Sequence, residues 1–209
     1  FKSSFPRFNS ITILLALGAF ILIGLKVTGS NMRQTGNDYF EKHHMADAQV
    51  TSPIGFTKDD KDYIRHMKHV NNVEFSIYKD ALISNSDTAI RLNENTSNIS
   101  KFKTEKGRIP KKSNEIALSE QETSHYHIGD TIHLKNNNGS KNISGLKYSK
   151  YKVVGFVSSS DYMEKHNLGV TRAGKGQIDT FGVLTKKGFS TNTSNIAKLT
   201  YNNLKGNAY

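Results

Sequence analysis

The chain has no cysteine and no tryptophan among its 209 residues, and only three prolines. Without cysteine there is no disulfide scaffold, no thiol nucleophile and no Cys-ligated zinc site. The compartment stays open, because an exported protein can lack cysteine as readily as a cytosolic one. Proline and the 16 glycines are too few for a collagen-like or broadly low-complexity chain. Acid is in short supply: 18 Asp and Glu face 29 Lys and Arg, for a net charge of +11 and a pI near 9.7. Such a balance favours partners of negative charge. Hydrophobic residues make up 35% and the mean hydropathy is −0.56, which is low for a packed protein. That average conceals a split, since residues 11–25 are almost all apolar and the rest is more polar than the mean. At 23.4 kDa the length accommodates one domain, or one domain with an appendage. The first residue is Phe, so the chain is expected to be a piece of a longer one.

Between Arg7 and Lys26 lie the uncharged residues 8–25. As a helix they span about 27 Å at 1.5 Å per residue, close to the roughly 30 Å of a bilayer's hydrocarbon core. Arg7 and Lys26 can reach the interfaces by extending their side chains. No face of the segment is polar, so it is not a surface helix. Lys26 follows at once and no Ala-x-Ala pattern comes after it, which argues against a cleaved signal peptide. The reading is a transmembrane helix. Lys2 and Arg7 before it are balanced by Lys26 and Arg33 after it, so charge alone does not orient it.

The rest of the chain reads as short strands with interspersed helices, an α+β domain. Residues 27–45 are polar and weakly helical, and continue the membrane helix as a stalk, with Gly29 and Gly36 as weak points. The division is therefore 1–45, transmembrane helix and stalk, and 46–209, the following domain. Alternation predicts strands at 48–51, 73–77, 82–83, 89–92, 115–118, 131–134, 151–157 and 181–184. Thr57-Lys58-Asp59-Asp60 resembles a capping box that opens a short helix carrying Tyr63, Ile64, Met67 and Val70. Ser119 to Tyr126 suits another helix. Residues 93–114 read as loop, 136–139 as a hairpin-type turn, and the Asn- and Thr-rich tail after Ser190 as irregular.

Chemistry-bearing patterns are few. Gly169-Val170-Thr171-Arg172-Ala173-Gly174-Lys175-Gly176 nearly spells a phosphate-binding loop, but Gly176 stands where a Mg²⁺-binding hydroxyl is needed. Polar residues precede it and a strand follows, whereas a true loop opens a helix. It is read as a flexible glycine-rich loop. His66 with His69, on one helix face, and His125 with His127, on one strand face, lack a third ligand and read as solvated. Ser158-Ser159-Ser160-Asp161 is a strand exit that caps the next turn. No nucleophile elbow is present, and no cofactor or metal site is expected. Residues 131–160 hold five Lys and no acid, and residues 101–112 hold six basic residues and one acid. Either run suits an anionic polymer or lipid headgroups, or is an ordinary solvated surface.

Several segments together resemble the FtsX-like permease subunits of ABC transporters, in their first membrane helix and MacB-like extracytoplasmic core domain. They are the apolar helix with Met32-Arg33 and Asp38-Tyr39-Phe40, then Met45-Ala46-Asp47-Ala48-Gln49-Val50-Thr51-Ser52 and Gly55-Phe56-Thr57. Next come Gly107-Arg108-Ile109-Pro110, Asn114-Glu115-Ile116-Ala117-Leu118 and Ile128-Gly129-Asp130-Thr131-Ile132. Tyr151-Lys152-Val153-Val154-Gly155-Phe156-Val157, Asp161-Tyr162, and Gly174 and Gly176 before Asp179 and Phe181 complete the set. The order of these segments is more specific than any one of them. The resemblance implies a bacterial cell membrane, a cytoplasmic N-terminus and an outer domain. It also implies a partner ATP-binding subunit, further membrane helices, and pairing of permease subunits or halves. Such domains move lipoproteins, peptides or antibiotics, or pass force to outer partners, and none is an enzyme. Two alternatives stand beside this: a module that recruits a cell-wall hydrolase, and a single-pass sensor or adhesion protein. Nucleic acid is not expected as a partner. Gly107, Pro110, Gly129, Asp130, Gly174 and Gly176 are structural residues. Gly107 and Gly129 answer to backbone geometry, Pro110 stiffens a segment, and Asp130 holds a turn by an Asx-type bond.

Overall fold

A computed structural model describes residues 5–164 and 168–202. The chain divides after Lys42 into two compact units.

The first is one unbroken helix, α1 (Phe5–Lys42), of 38 residues and about 57 Å. Its apolar part is long enough to cross a membrane, by length and composition. Three hydroxyls in the helix turn back on its own backbone: Ser10 donates to the Pro6 carbonyl, Thr12 to Phe8 and Thr28 to Gly24, at 2.8–2.9 Å. Each is thereby satisfied without water. The helix runs through Gly29 and Gly36 without a break.

The second unit is α+β, with strands dominant. β1 (Ala48–Thr51) leads to α2 (Lys58–Arg65), and β2 (Val70–Ser76) runs on into β3 (Tyr78–Ile83). β4 (Ala89–Glu94), β5 (Lys103–Gly107), β6 (Glu115–Ser119) and β7 (Thr131–Lys135) follow, then β8 (Lys150–Ser158), β9 (Thr180–Leu184) and β10 (Ile196–Tyr201). β1, β10 and β2 make a small antiparallel sheet in that order. The other strands make a larger sheet, β5-β8-β6-β9-β4-β3-β7, in which β7 also pairs with β8. That extra pairing closes six strands into a ring. β7 occupies the first half of one edge of β8, opposite Lys150–Lys152, and β5 the second half, opposite Gly155–Ser158.

Alternation decides which side chains fill the ring. Ile90, Leu92, Ile116, Leu118, Ile132, Leu134, Tyr151 and Leu184 share one core cluster. Ala117, Val157, Phe181 and Val183 lie on the opposite face, beneath Phe102, Leu168 and Ile178. β8 changes parity part-way. Ile116 faces Val153 but Ala117 faces Gly155, so Val154 is an extra residue, a bulge that re-aims the strand. Tyr151 and Val153 point into the ring before it, and Phe156 after it.

Local signals account for much of this. Thr57 accepts from the Asp60 N–H at 3.2 Å while the Thr57 N–H donates to the Asp60 carboxylate at 2.9 Å, which closes the capping box of α2. That helix is shorter than its apolar spacing predicts. Only Ile64 is buried on it, Tyr63 is exposed, and Val70 belongs to β2. Ile64 packs with Phe56, Ala197 and Leu199 of the small sheet's cluster. β5 lies within the stretch read as loop, with all five residues exposed and no alternation to mark it. β10 lies in the tail read as irregular. Residues 119–126 form a 3₁₀ turn, Glu120–Ser124, rather than an α-helix. The 136–139 turn does not join β7 and β8 directly. It begins a 14-residue excursion, 136–149, that returns Ile143 and Leu146 to the core.

Candidate functional site: an open polar groove and a polar junction

Four of the six motif residues gather at the bulge of β8. Gly107 has φ +74°, and a Cβ there would sit 2.5 Å from the Val154 carbonyl and 2.8 Å from the Gly155 Cα. The two glycines face each other across β5 and β8, so this close approach excludes a side chain on either. The Arg108 N–H donates to the Val154 carbonyl at 3.1 Å and the Gly129 N–H to the Val153 carbonyl at 2.9 Å, while Val153 N–H donates to the Asp130 carbonyl at 2.8 Å. Pro110 is buried. Asp130 holds its turn in the reverse of an Asx turn: its carboxylate accepts from the N–H of His127, three residues earlier, at 2.8 Å. Arg108 and Glu115 join two of the motif segments by a bidentate pair at 2.8 and 2.7 Å.

Gly174 and Gly176 lie apart from that corner, in the 169–177 loop. Hydrogen bonds join the two sides of the loop. Val170 and Gln177 form a bridge, Thr171 N–H donates to Gly176 at 3.0 Å, and Ile178 N–H to Gly169 at 2.9 Å. Gly174 has φ +57°, and a Cβ there would press on Leu82 at 2.9 Å. Gly176 has φ +90°. No helix follows the loop; β9 does, and the preceding residues 165–167 lie outside the described ones. The histidine pairs are not held together either. α2 ends at Arg65, so His66 caps it, its Nδ1 2.7 Å from the Asp62 carbonyl, while His69 has φ +69°. His125 and His127 precede β7 instead of sharing a strand.

What anchors the 169–177 loop was not legible as a motif. Asp80 on β3 receives Arg91 Nε at 2.7 Å and Nη2 at 2.8 Å, and the Thr171 hydroxyl at 2.7 Å. Arg91 also donates to the Val170 carbonyl at 3.1 Å and lies 4.5 Å from the Tyr78 ring centroid. Burial works against the Arg91 charge, but the Asp80 carboxylate outweighs it and holds the guanidinium above its ordinary pKa. Asn137 donates to the Arg172 carbonyl at 2.7 Å and accepts from Gly174 N–H at 3.2 Å. Together these walls enclose an open groove of about 750 Å³, lined by Tyr78, Lys79, the Asp80–Arg91 pair, Asn138, Asn142, Arg172 and neighbours. A second groove of about 550 Å³ shares Asn142 and Ile143 with it and carries Lys141, Lys147 and Lys150.

A separate polar junction ties the residues after α1 to both sheets. The Ser100 N–H donates to the His44 carbonyl at 2.7 Å, and the Ala46 N–H to the Ser100 hydroxyl at 3.1 Å. That hydroxyl donates to Asp161 at 2.6 Å, and Asp161 pairs with Lys198 of β10 at 2.7 Å, with side chains only 7% and 5% exposed. Glu74 of β2 accepts three backbone N–H groups from residues 97–99 at 2.7–3.0 Å. Lys198 lies in the buried part of β10, and a buried charge needs a buried partner. Among the described residues, no group of three His, Asp or Glu is placed to hold a metal.

No family model matches the chain, and no curated protein matches it. Among solved structures it is similar to the extracellular domain of the noncanonic ABC-type transporter YknZ from Gram-positive bacteria. The identity is 15% and the TM-score 0.42, over 73% of this chain and 76% of that one. A likeness of that degree leaves the functional assignment to the residues of this chain.

Proposed function

We propose that the chain is the first membrane span and extracytoplasmic domain of an FtsX-like ABC permease subunit, with a MacB-like core. In this reading residues 1–45 are span and stalk and 46–209 the outer domain. A partner ATP-binding subunit drives the protein from the cytoplasmic side. The domain passes that motion to a lipoprotein, peptide or antibiotic, or to an outer partner. It carries no catalysis of its own. Membrane lipid surrounds the span, and permease subunits or halves pair. The observation that carries the proposal is a 38-residue helix, apolar enough to cross a membrane, followed at once by an α+β domain. The ordered segment resemblance supplies the transporter class.

These 209 residues contain no cysteine, so in a full-length protein cleared of any others a single introduced thiol tests placement. Ile54 is 94% exposed at a turn, so Ile54→Cys leaves the fold intact. In that full-length protein it is expected to react with a membrane-impermeant maleimide on intact cells. Labelling only after lysis reverses the topology and ends the transporter reading.

A further inference from the structure

We propose that the two adjoining grooves form one binding surface for a linear phosphate-bearing polymer. The cations Lys79 and Arg172 line the larger groove, and Lys141, Lys147 and Lys150 the smaller. None of the five has a carboxylate within ion-pair distance among the described residues. Asp80 is the acid lining these grooves, and Arg91 and Thr171 consume its carboxylate. The surface is therefore a run of uncompensated positive charge along two connected concavities. Such a surface concentrates a polyanion and releases its counterions on contact.

The fixed chemistry between the charges favours a phosphate chain over an acidic peptide. A peptide gains affinity by adding a strand to an open edge or by filling apolar pockets. The start of the β3 edge is already taken. The Asn195 side chain accepts from Tyr78 N–H at 2.8 Å and donates to the Tyr78 carbonyl at 2.9 Å, as a neighbouring strand would. Between the cations stand Asn138, Asn142 and Ser144, which offer hydrogen bonds to the hydroxyls or phosphate oxygens of a chain. Lysine serves phosphate as a point charge without needing a fixed fork. This inference does not depend on the membrane reading, and either can fail alone.

The test uses the full chain in nanodiscs of neutral phosphatidylcholine with soluble sodium polyphosphate as probe. Saturable binding is expected, with affinity falling linearly on a logarithmic salt scale. Replacing all five cations (K79Q, K141Q, K147Q, K150Q, R172Q) is expected to weaken binding tenfold or more. The salt slope should fall by about one for each cation engaged. The triple variant K141Q/K147Q/K150Q should show about three-fifths of that fall. A control set with the same charge loss, Lys58, Lys68, Lys106, Lys111 and Lys112 to Gln, should change binding less than about threefold, because the matched term is only net charge. Absence of saturable binding, or equal loss in the control set, overturns the proposal. So does tighter binding of poly-glutamate, which makes the surface a peptide site, or of phosphatidylglycerol vesicles, which makes it a lipid-headgroup site.

Discussion

Glu115 accepts four hydrogen bonds, two from the Arg108 guanidinium and two from the backbone N–H groups of Lys111 and Lys112 at 2.9 and 3.1 Å. The Arg108 bonds, aided by those backbone donors and opposed by burial, lower its carboxyl from 4.5 to about 2. The folded state thus binds this proton more weakly than the unfolded chain does. The stabilisation is fully present above about pH 4.5 and is lost as the pH falls toward about 2. Glu115→Gln cannot titrate, and it is expected to be less stable at neutral pH with a shallower loss of stability through that window. Urea midpoints measured across that window check this, and parallel profiles for the two proteins would remove Glu115 as the source. The sequence presents Arg108 and Glu115 in two separate motif segments. Nothing in either segment says that they meet, because the turn between them brings side chains together only once β5, β6 and β8 are paired.

At the scale of elements, β10 is the strand on which the small sheet depends, since β1 and β2 both pair with it. Its Lys198 is buried against Asp161, which also receives Ser100. Breaking a buried pair by removing one partner leaves the other charge uncompensated, at a cost of about 3–5 kcal/mol. Lys198→Met is expected to lower stability by about that amount. The pair Lys198→Met with Asp161→Asn should recover part of the loss, because the amide is neutral and its oxygen can still accept from Ser100. Denaturant unfolding of the three proteins decides it. A double variant no more stable than Lys198→Met would mean that the loss comes from packing rather than from a stranded carboxylate. The tail was illegible because its Asn- and Thr-rich start masks the alternation Ile196, Lys198, Thr200 against Ala197, Leu199, Tyr201. A lysine on a buried face looks like a solvent face until its partner, 37 residues away, is in view.

For the whole molecule the proposed mechanism turns on α1 as a stiff element. Gly29 and Gly36 each cost it about 1 kcal/mol relative to Ala, yet the helix continues through both to Lys42. Gln34→Pro removes a backbone hydrogen bond and clashes with the preceding turn, a penalty of about 3 kcal/mol or more. In the full permease this variant is expected to insert and hydrolyse ATP normally but to lose the function outside. ATPase rate and transport or resistance, measured together, check it. Undiminished outer function in well-expressed Gln34→Pro protein would leave the helix a tether and the domain a passive module.

The sequence by itself determined the features that rest on neighbours along the chain. The apolar run of α1, the capping box at Thr57 and the alternation of β4, β6 and β9 all depend on residues a few positions apart. The tertiary structure alone decided the closure of the ring, the parity change at Val154, the Asp80–Arg91–Thr171 staple and the burial of Lys198. Each of these needs groups brought together from distant parts of the chain, and periodicity carries no information about which strands pair or which charges meet. Three of the five groove cations, Lys141, Lys147 and Lys150, belong to both levels. The run of lysines in residues 131–160 is plain in the sequence, but whether any of them lacks an acidic neighbour is a property of the folded surface.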